Sequence, residues 1–281
     1  MTDALWPAPP ITLTIAGSEA TGGAGAQADL KTFHALGTFG MAALTCIVSV
    51  DPAANWGHRF VPIDPQVIAD QLEAQLACYD VHTVKIGMLG TPATIDTVAQ
   101  VLSSRPWTHV VLDPVLICKG QEPGAALDTD RALMDQILPQ ATFVTPNQFE
   151  AMTLSGMTSI TCEADLVEAA RRIHERSGAA VLVKGGVRIS GPEAVDVFYD
   201  GDILEVLRVD KIGEHAVSGA GCTLAAAVTA ELAKGASPVH AARTAKAFVT
   251  RGIQARISGN APFDALWQGS PSSQRSAPSQ G

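Results

Sequence analysis

The chain has 281 residues, of which 47% are hydrophobic and 17% charged, and its formal net charge is −9. This length can bury a substantial core as one large α/β domain, and the acidic balance without a long Lys/Arg cluster argues against a nucleic-acid surface. No apolar run reaches membrane-spanning length and no charged-then-apolar leader opens the chain, so the expectation is a cytoplasmic protein without a membrane partner.

Cysteines stand at 46, 78, 118, 162 and 222, an odd number without a CxxC pair. That pattern indicates neither a disulfide framework nor a zinc site. Cys46 and Cys78 read as small buried hydrophobes and Cys162 as incidental.

Residues 1–10, rich in Pro and Ala, read as a flexible N-terminus, after which short apolar runs alternate with segments of helical period. Such alternation predicts a doubly wound α/β fold with a mostly parallel sheet. A strand at 11–16 runs into the loop Gly17-Ser18-Glu19-Ala20-Thr21-Gly22-Gly23-Ala24-Gly25, which opens a helix over 25–36. Residues 23–28 match the dinucleotide fingerprint G-x-G-x-x-A superficially, but its glycines should follow the strand at once, so that assignment fails. A substrate-binding loop fits better, a flexible βα loop being the plain alternative. A strand at 42–50, a helix at 65–79, a strand at 83–86 and a helix at 92–103 follow.

The strand 109–113 ends on Asp113-Pro114, which sets a carboxylate at the sheet's carboxyl edge or caps a turn. Beyond it lies a glycine-punctuated segment carrying Cys118, a composition suited to a movable lid. After a helix over 128–138, the strand 142–145 leads through Pro146-Asn147 into a helix over 148–154. Asn147 with Glu150 is a helix-capping pattern, or Glu150 helps hold magnesium beside phosphates. A helix at 163–177 and a strand at 180–184 come next. Lys184 ends that strand before Gly185-Gly186, either solvated or reaching a nucleotide's phosphates. A hairpin, 194–199 and 203–209 about Asp200-Gly201, predicts an antiparallel edge.

Ser218-Gly219-Ala220-Gly221-Cys222-Thr223 then opens a helix over 222–233. Its unpaired N–H groups and dipole favour an anion, and the same position lowers a thiol's pKa; a close-packed start with an inert thiol is the alternative. Lys246, within a last helix over 238–257, shares the ambiguity of Lys184. Residues 269–281 read as a disordered tail, leaving one domain over 10–268. All these candidates except Lys246 converge on strand carboxyl ends or on the helix start at Cys222.

Taken together, Ala16-Gly17-Ser18, Gly22-Gly23-Ala24-Gly25, the run from Gln27 to Thr32, Val84-Lys85-Ile86-Gly87-Met88-Leu89, Asp113-Pro114-Val115, Thr145-Pro146-Asn147, Val183-Lys184-Gly185-Gly186 and Gly219-Ala220-Gly221-Cys222-Thr223 resemble the hydroxymethylpyrimidine/pyridoxal kinase branch of the ribokinase superfamily. Cys118-Lys119-Gly120, the group Asp51-Pro52, Asn55-Trp56 and His58, and the run from Thr229 to Gly235 are similar to bacterial two-cysteine pyridoxal (pyridoxine) kinases. Val50-Asp51 stands where hydroxymethylpyrimidine kinases place a Gln.

The resemblance implies a three-layer αβα, ribokinase-like homodimer that transfers the γ-phosphoryl of ATP, with Mg2+, to the 5-hydroxymethyl group of a B6 vitamer. It implies catalytic roles for Cys222, Cys118 and the backbone of Gly219, Ala220 and Gly221. Substrate contacts would come from Gly17, Ser18, Glu19, Gly25, Val50, His58 and Met88. Nucleotide contacts would come from Asn147, Lys184, Gly186 and Lys246, with Asp113 and Glu150 toward magnesium. Glu19, Val217 and Ser218 depart from the branch's usual Asp, Thr and His. Two alternatives remain: a hydroxymethylpyrimidine (phosphate) kinase of thiamin synthesis, and a catalytically weakened vitamer-binding protein.

Overall fold

Among the described residues nine strands form one sheet in the order β3-β2-β1-β4-β5-β6-β7-β8-β9. They are β1 (Ile11–Glu19), β2 (Phe39–Asp51), β3 (Gly57–Pro62), β4 (Thr83–Ile86), β5 (His109–Leu112), β6 (Phe143–Val144), β7 (Ala180–Gly186), β8 (Glu193–Tyr199) and β9 (Leu204–Asp210). The computed structural model describes residues 7–116 and 123–269, with 123–126 by their backbone alone. Neighbours from β2 to β7 run parallel, while β3, β8 and β9 pair antiparallel at the two edges.

Side chains two apart on a strand share a face, so each buried strand feeds two cores. Leu13, Ile15, Val110, Leu112, Val181 and Val183 pack toward one helical layer. Val111, Phe143, Leu182 and Phe198 pack toward the other, against α7 (Ala220–Ala233) and α8 (Pro238–Gln254). With α1 (Gly25–Ala35) packed on α7, and with α2 (Pro65–Cys78), α3 (Pro92–Ser103), α5 (Gln148–Ser155) and α6 (Glu163–Ser177) feeding the first core, the three-layer αβα arrangement is complete. Among the described residues no helix is long and apolar enough to cross a membrane.

The largest departure from the predicted elements is β3. Asp51 caps a short 3-10 turn, Asn55 and Trp56 take left-handed φ of 50° and 59°, and the chain returns along β2 with His58 opposite Val50. The mixed polarity of 57–62 hid this strand. Below the hairpin the outer edge of β2, opposite β1, has no strand partner among the described residues, and α2 supplies side chains instead. Leu44 N–H donates to Gln71 Oε1 at 2.9 Å, and Gln75 Nε2 donates to the Ala42 carbonyl at 2.8 Å. The helix expected over 128–138 is α4 (Pro123–Ala132), followed by a π turn over Leu133–Ile137 and a 3-10 turn over Leu138–Gln140. Pro139 has no N–H to continue the helical ladder there. Cys78, expected inside, is exposed, because α2 turns Ile68 and Leu72 to the core.

Candidate active site

Chain connections leave β1 toward β2 on one side and return to β4 on the other, so the crevice at their carboxyl ends is the expected ligand site. The glycine loop closes over it. Gly25 has φ +61°, and a Cβ there would stand 2.3 Å from the Gly17 carbonyl oxygen, so only glycine permits this approach. Gln27 clamps the loop: its Nε2 donates to Ser18 Oγ at 2.7 Å and its Oε1 accepts from Glu19 N–H at 3.0 Å. Gly17, Glu19, Gly25, His58 and Met88 line a cavity of about 210 Å³ together with Val48, Lys85 and Cys222. The Ser18 hydroxyl is thus used within the loop. Val50 lies one pleat farther along the β2 face, and Val48 takes the place at the cavity. The Glu19 carboxylate is bound at home, accepting from Thr21 N–H at 3.0 Å and Thr21 Oγ1 at 2.5 Å.

Helix α7 begins two residues before Cys222. Its N-cap Gly219 has φ 78°, and a Cβ there would meet the Gly23 carbonyl oxygen at 1.8 Å. This contact joins the phosphate-friendly turn to the glycine loop. Cys222 is half-buried, with the Gly25 N–H directed at its sulfur. The helix start was expected to lower its pKa. Burial wins instead and pushes the thiol up to about 11, against the pull of Lys85. Cys222 therefore rests as a thiol. Iodoacetamide near neutral pH should label the exposed Cys78 and Cys162 well before Cys222, with Cys222 labelling still rising toward pH 11; peptide mass mapping reads the order, and Cys222 reacting first would contradict it.

Sequence reasoning quoted Lys85 and Asp29 in motifs but gave them no role. Register explains their meeting. Thr14 and Lys85 are partners on β1 and β4, both facing α1, which supplies Asp29. Lys85 Nζ donates to Asp29 Oδ2 at 2.9 Å, Thr14 Oγ1 donates to the same oxygen at 2.6 Å, and both ionic side chains are 0% exposed. Although burial opposes its charge, Asp29, Cys222 and Asp113 hold the Lys85 ammonium above its usual range. A lysine amid Val84 and Ile86 was the available signal, since an unpaired charge is not left in such a strand.

On the other side of the α7 turn, β5 and β7 deliver Asp113 and Lys184. Lys184 Nζ donates to Asp113 Oδ1 at 3.0 Å, and Thr145 Oγ1 donates to that oxygen at 3.4 Å. Burial alone would raise Asp113, but Lys184 and Lys85 hold it below the usual carboxylate range. Asn147 and Glu150 form a capping box, Glu150 Oε2 accepting from Asn147 N–H at 2.7 Å. Burial pushes Glu150 up to about 7 despite the pull of Lys184. Lys246 Nζ is occupied by Asp196 Oδ2 at 2.7 Å, and Asp196 Oδ1 accepts from Gly186 N–H at 3.2 Å. A cavity of about 280 Å³ is lined by Asn147, Lys184, Gly186, Lys246, Ala220 and Gly221. The two cavities thus meet at one turn, with Ala220 and Gly221 on one side and Cys222 on the other. Cys118 lies outside the described residues.

No cluster of three or more His, Cys, Asp or Glu side chains capable of holding a metal occurs among the described residues. Magnesium needs no such cage beside phosphates, since one or two carboxylates suffice when phosphate oxygens and water complete its shell. Asp113 and Glu150 are of the right kind.

The phosphomethylpyrimidine kinase family model matches residues 19–264. The chain belongs to the phosphomethylpyrimidine kinase family. This kinase is 45% identical over 242 residues to the pyridoxine kinase of Bacillus subtilis, covering 86% of this chain and 89% of that protein. Its fold is similar to the ADP complex of Bacillus subtilis pyridoxal kinase, with a TM-score of 0.88, 42% identity and coverage of 93% of this chain and 98% of that one. It is likewise similar to the pyridoxal kinase from Staphylococcus aureus in complex with AMP-PCP and pyridoxal, with a TM-score of 0.86, 38% identity and coverage of 94% and 95%. The ribokinase-like architecture and kinase activity expected from the motifs agree with these relatives.

Proposed function

We propose that this kinase transfers the γ-phosphoryl of ATP to the 5-hydroxymethyl group of pyridoxal or pyridoxine. One observation carries the reading: two cavities, one cationic and bordered by glycines, the other lined by Cys222 and the glycine loop, share the first turn of α7. Phosphoryl transfer asks mainly for positioning and charge stabilisation. The backbone N–H groups of Gly219, Gly221 and Cys222 form the anion hole, the Ala220 N–H donating to the Val217 carbonyl at 3.3 Å, and Lys184 neutralises phosphate charge beside it. Asp113 and Glu150 would hold magnesium, which when bound neutralises and orients the phosphates.

On the vitamer side, Gly17, Gly25, His58 and Met88 enclose the ring, and the Cys222 sulfur adds to the aldehyde carbon of pyridoxal. The carbonyl π pair moves to oxygen, which takes up the proton that the thiol gives, leaving a hemithioacetal. Cys118 serves as the base for the 5-hydroxyl proton. Ile47, Val61 and Val67, exposed by 42%, 60% and 49% near the β2–β3 edge and α2, support a homodimer. We place the protein in the cytoplasm, where ATP and reduced thiols are supplied. Hydroxymethylpyrimidine is the second substrate class, favoured by the family match over residues 19–264.

Incubation with Mg-ATP and, separately, pyridoxal, pyridoxine and hydroxymethylpyrimidine tests the reading. ADP should form with both B6 vitamers. Absence of ADP with either would refute it.

A further inference from the structure

Beyond α8 the chain turns back toward the start of α7. Ile257 and Ala265 exchange backbone hydrogen bonds at 2.8 and 2.9 Å. The next contacts are with the residue preceding the anion-hole turn: Ser218 N–H donates to the Asp264 carbonyl at 2.9 Å, and Leu266 N–H donates to the Ser218 carbonyl at 3.0 Å. Phe263 meets Trp56, at the tip of the β2–β3 hairpin, edge to face at 6.4 Å. On this strap Gln268 is buried, 3% exposed. Gln268 Nε2 donates to the Gly23 carbonyl at 3.5 Å and to Thr223 Oγ1 at 3.3 Å.

Gly23 and Thr223 belong to different halves of the site. Gly23 is in the substrate loop, and its carbonyl is the atom that lies against Gly219. Thr223 follows Cys222 in the first turn of α7. Burying a primary amide is unfavourable unless its N–H groups are used, and here both recipients lie at the junction between the two cavities. An apolar side chain would fill this space but leave the Gly23 carbonyl without the amide.

We propose that Gln268 is a positioning residue for phosphoryl transfer: its buried amide ties the Gly23 loop to the first turn of α7, holding the vitamer's hydroxymethyl group in line with the anion hole. The assignment rests on the proposed reaction for its kinetic consequence but not for its geometry. Gln268→Met keeps the volume and removes the donor. Because a misplacement of about 1 Å can cost on the order of a hundredfold in rate, kcat should fall about tenfold or more while both KM values stay within about twofold. Thr223→Val should lower kcat similarly, and the double variant should be no worse than either single one, since both remove the same tie.

A second readout does not depend on the substrate. Ala24 and Gly25 of the loop line the same cavity as Cys222, and burial is what pushes that thiol up, so loosening the loop in Gln268→Met should admit water and reagent and raise the rate of Cys222 alkylation several-fold at constant pH. Gln268→Ala provides the same two measurements if the Met variant folds poorly. An unchanged kcat, additive losses in the double variant, or an unchanged alkylation rate in a folded variant would overturn the role. Wild-type turnover of the vitamers, measured alongside, tests the substrate reading separately. If the wild type turns over none of them, the alkylation result alone decides the role of Gln268.

Discussion

Gly219→Ala should reduce kcat by about a hundredfold or more in a protein that still folds. Two effects act at this residue. The left-handed φ of 78° is unfavourable for any residue with a Cβ, by about 1–2 kcal/mol. More severely, the added carbon would stand 1.8 Å from the Gly23 carbonyl oxygen, so the turn and the glycine loop must move apart by more than about an ångström. A displacement of that size takes the backbone donors away from the developing charge, and the loss falls on the chemical step. Steady-state kinetics with thermal melting separates the outcomes. Loss of kcat with a cooperative transition retained is expected, whereas near wild-type kcat would show that the turn does not form the anion hole.

The second large effect concerns the ion pair beneath the vitamer cavity. Lys85→Met should destabilise the fold by about 3–5 kcal/mol, because it leaves the Asp29 carboxylate buried with only the Thr14 hydroxyl to bond. Asp29→Asn combined with Lys85→Met should recover most of that stability, since neither partner then carries a buried charge. Denaturant unfolding of the single and double variants gives the coupling directly. Additive losses would mean that the pair is not a coupled unit. The double variant should still be a poorer enzyme than the wild type, because the Lys85 ammonium opposes the rise in the Cys222 pKa more strongly than the Asp29 carboxylate promotes it, and both are gone.

Part of this site is legible in the residues alone and part depends on how the chain packs. Gly25 and Gly219 were legible because a glycine-rich turn before a helix announces both an unusual backbone and a group of free N–H donors. Asp113 and Lys184 were legible as polar residues closing apolar strands, the point at which open α/β sheets bind ligands. Lys85 and Asp29 carried weaker signals. Their pairing depends on the β1–β4 register and on the face that α1 presents, and neither distance nor burial appears in a string of residues. The direction of the Cys222 shift was misjudged for the same reason: a helix start is local, while the burial that outweighs it comes from the tertiary packing around the thiol. Gln268 was least visible, since it directly precedes a Ser, Pro and Gln segment and lies more than two hundred residues from Gly23. His58 was named from the resemblance, but the strand that brings it over the cavity was not foreseen.

A competition between the two vitamin classes shows which of them this kinase prefers. Purified protein given equal amounts of pyridoxal and hydroxymethylpyrimidine with limiting Mg-ATP should yield chiefly pyridoxal 5′-phosphate when both phosphoesters are quantified by mass spectrometry. Predominant hydroxymethylpyrimidine phosphate, or ATP consumed without either product, would contradict that preference.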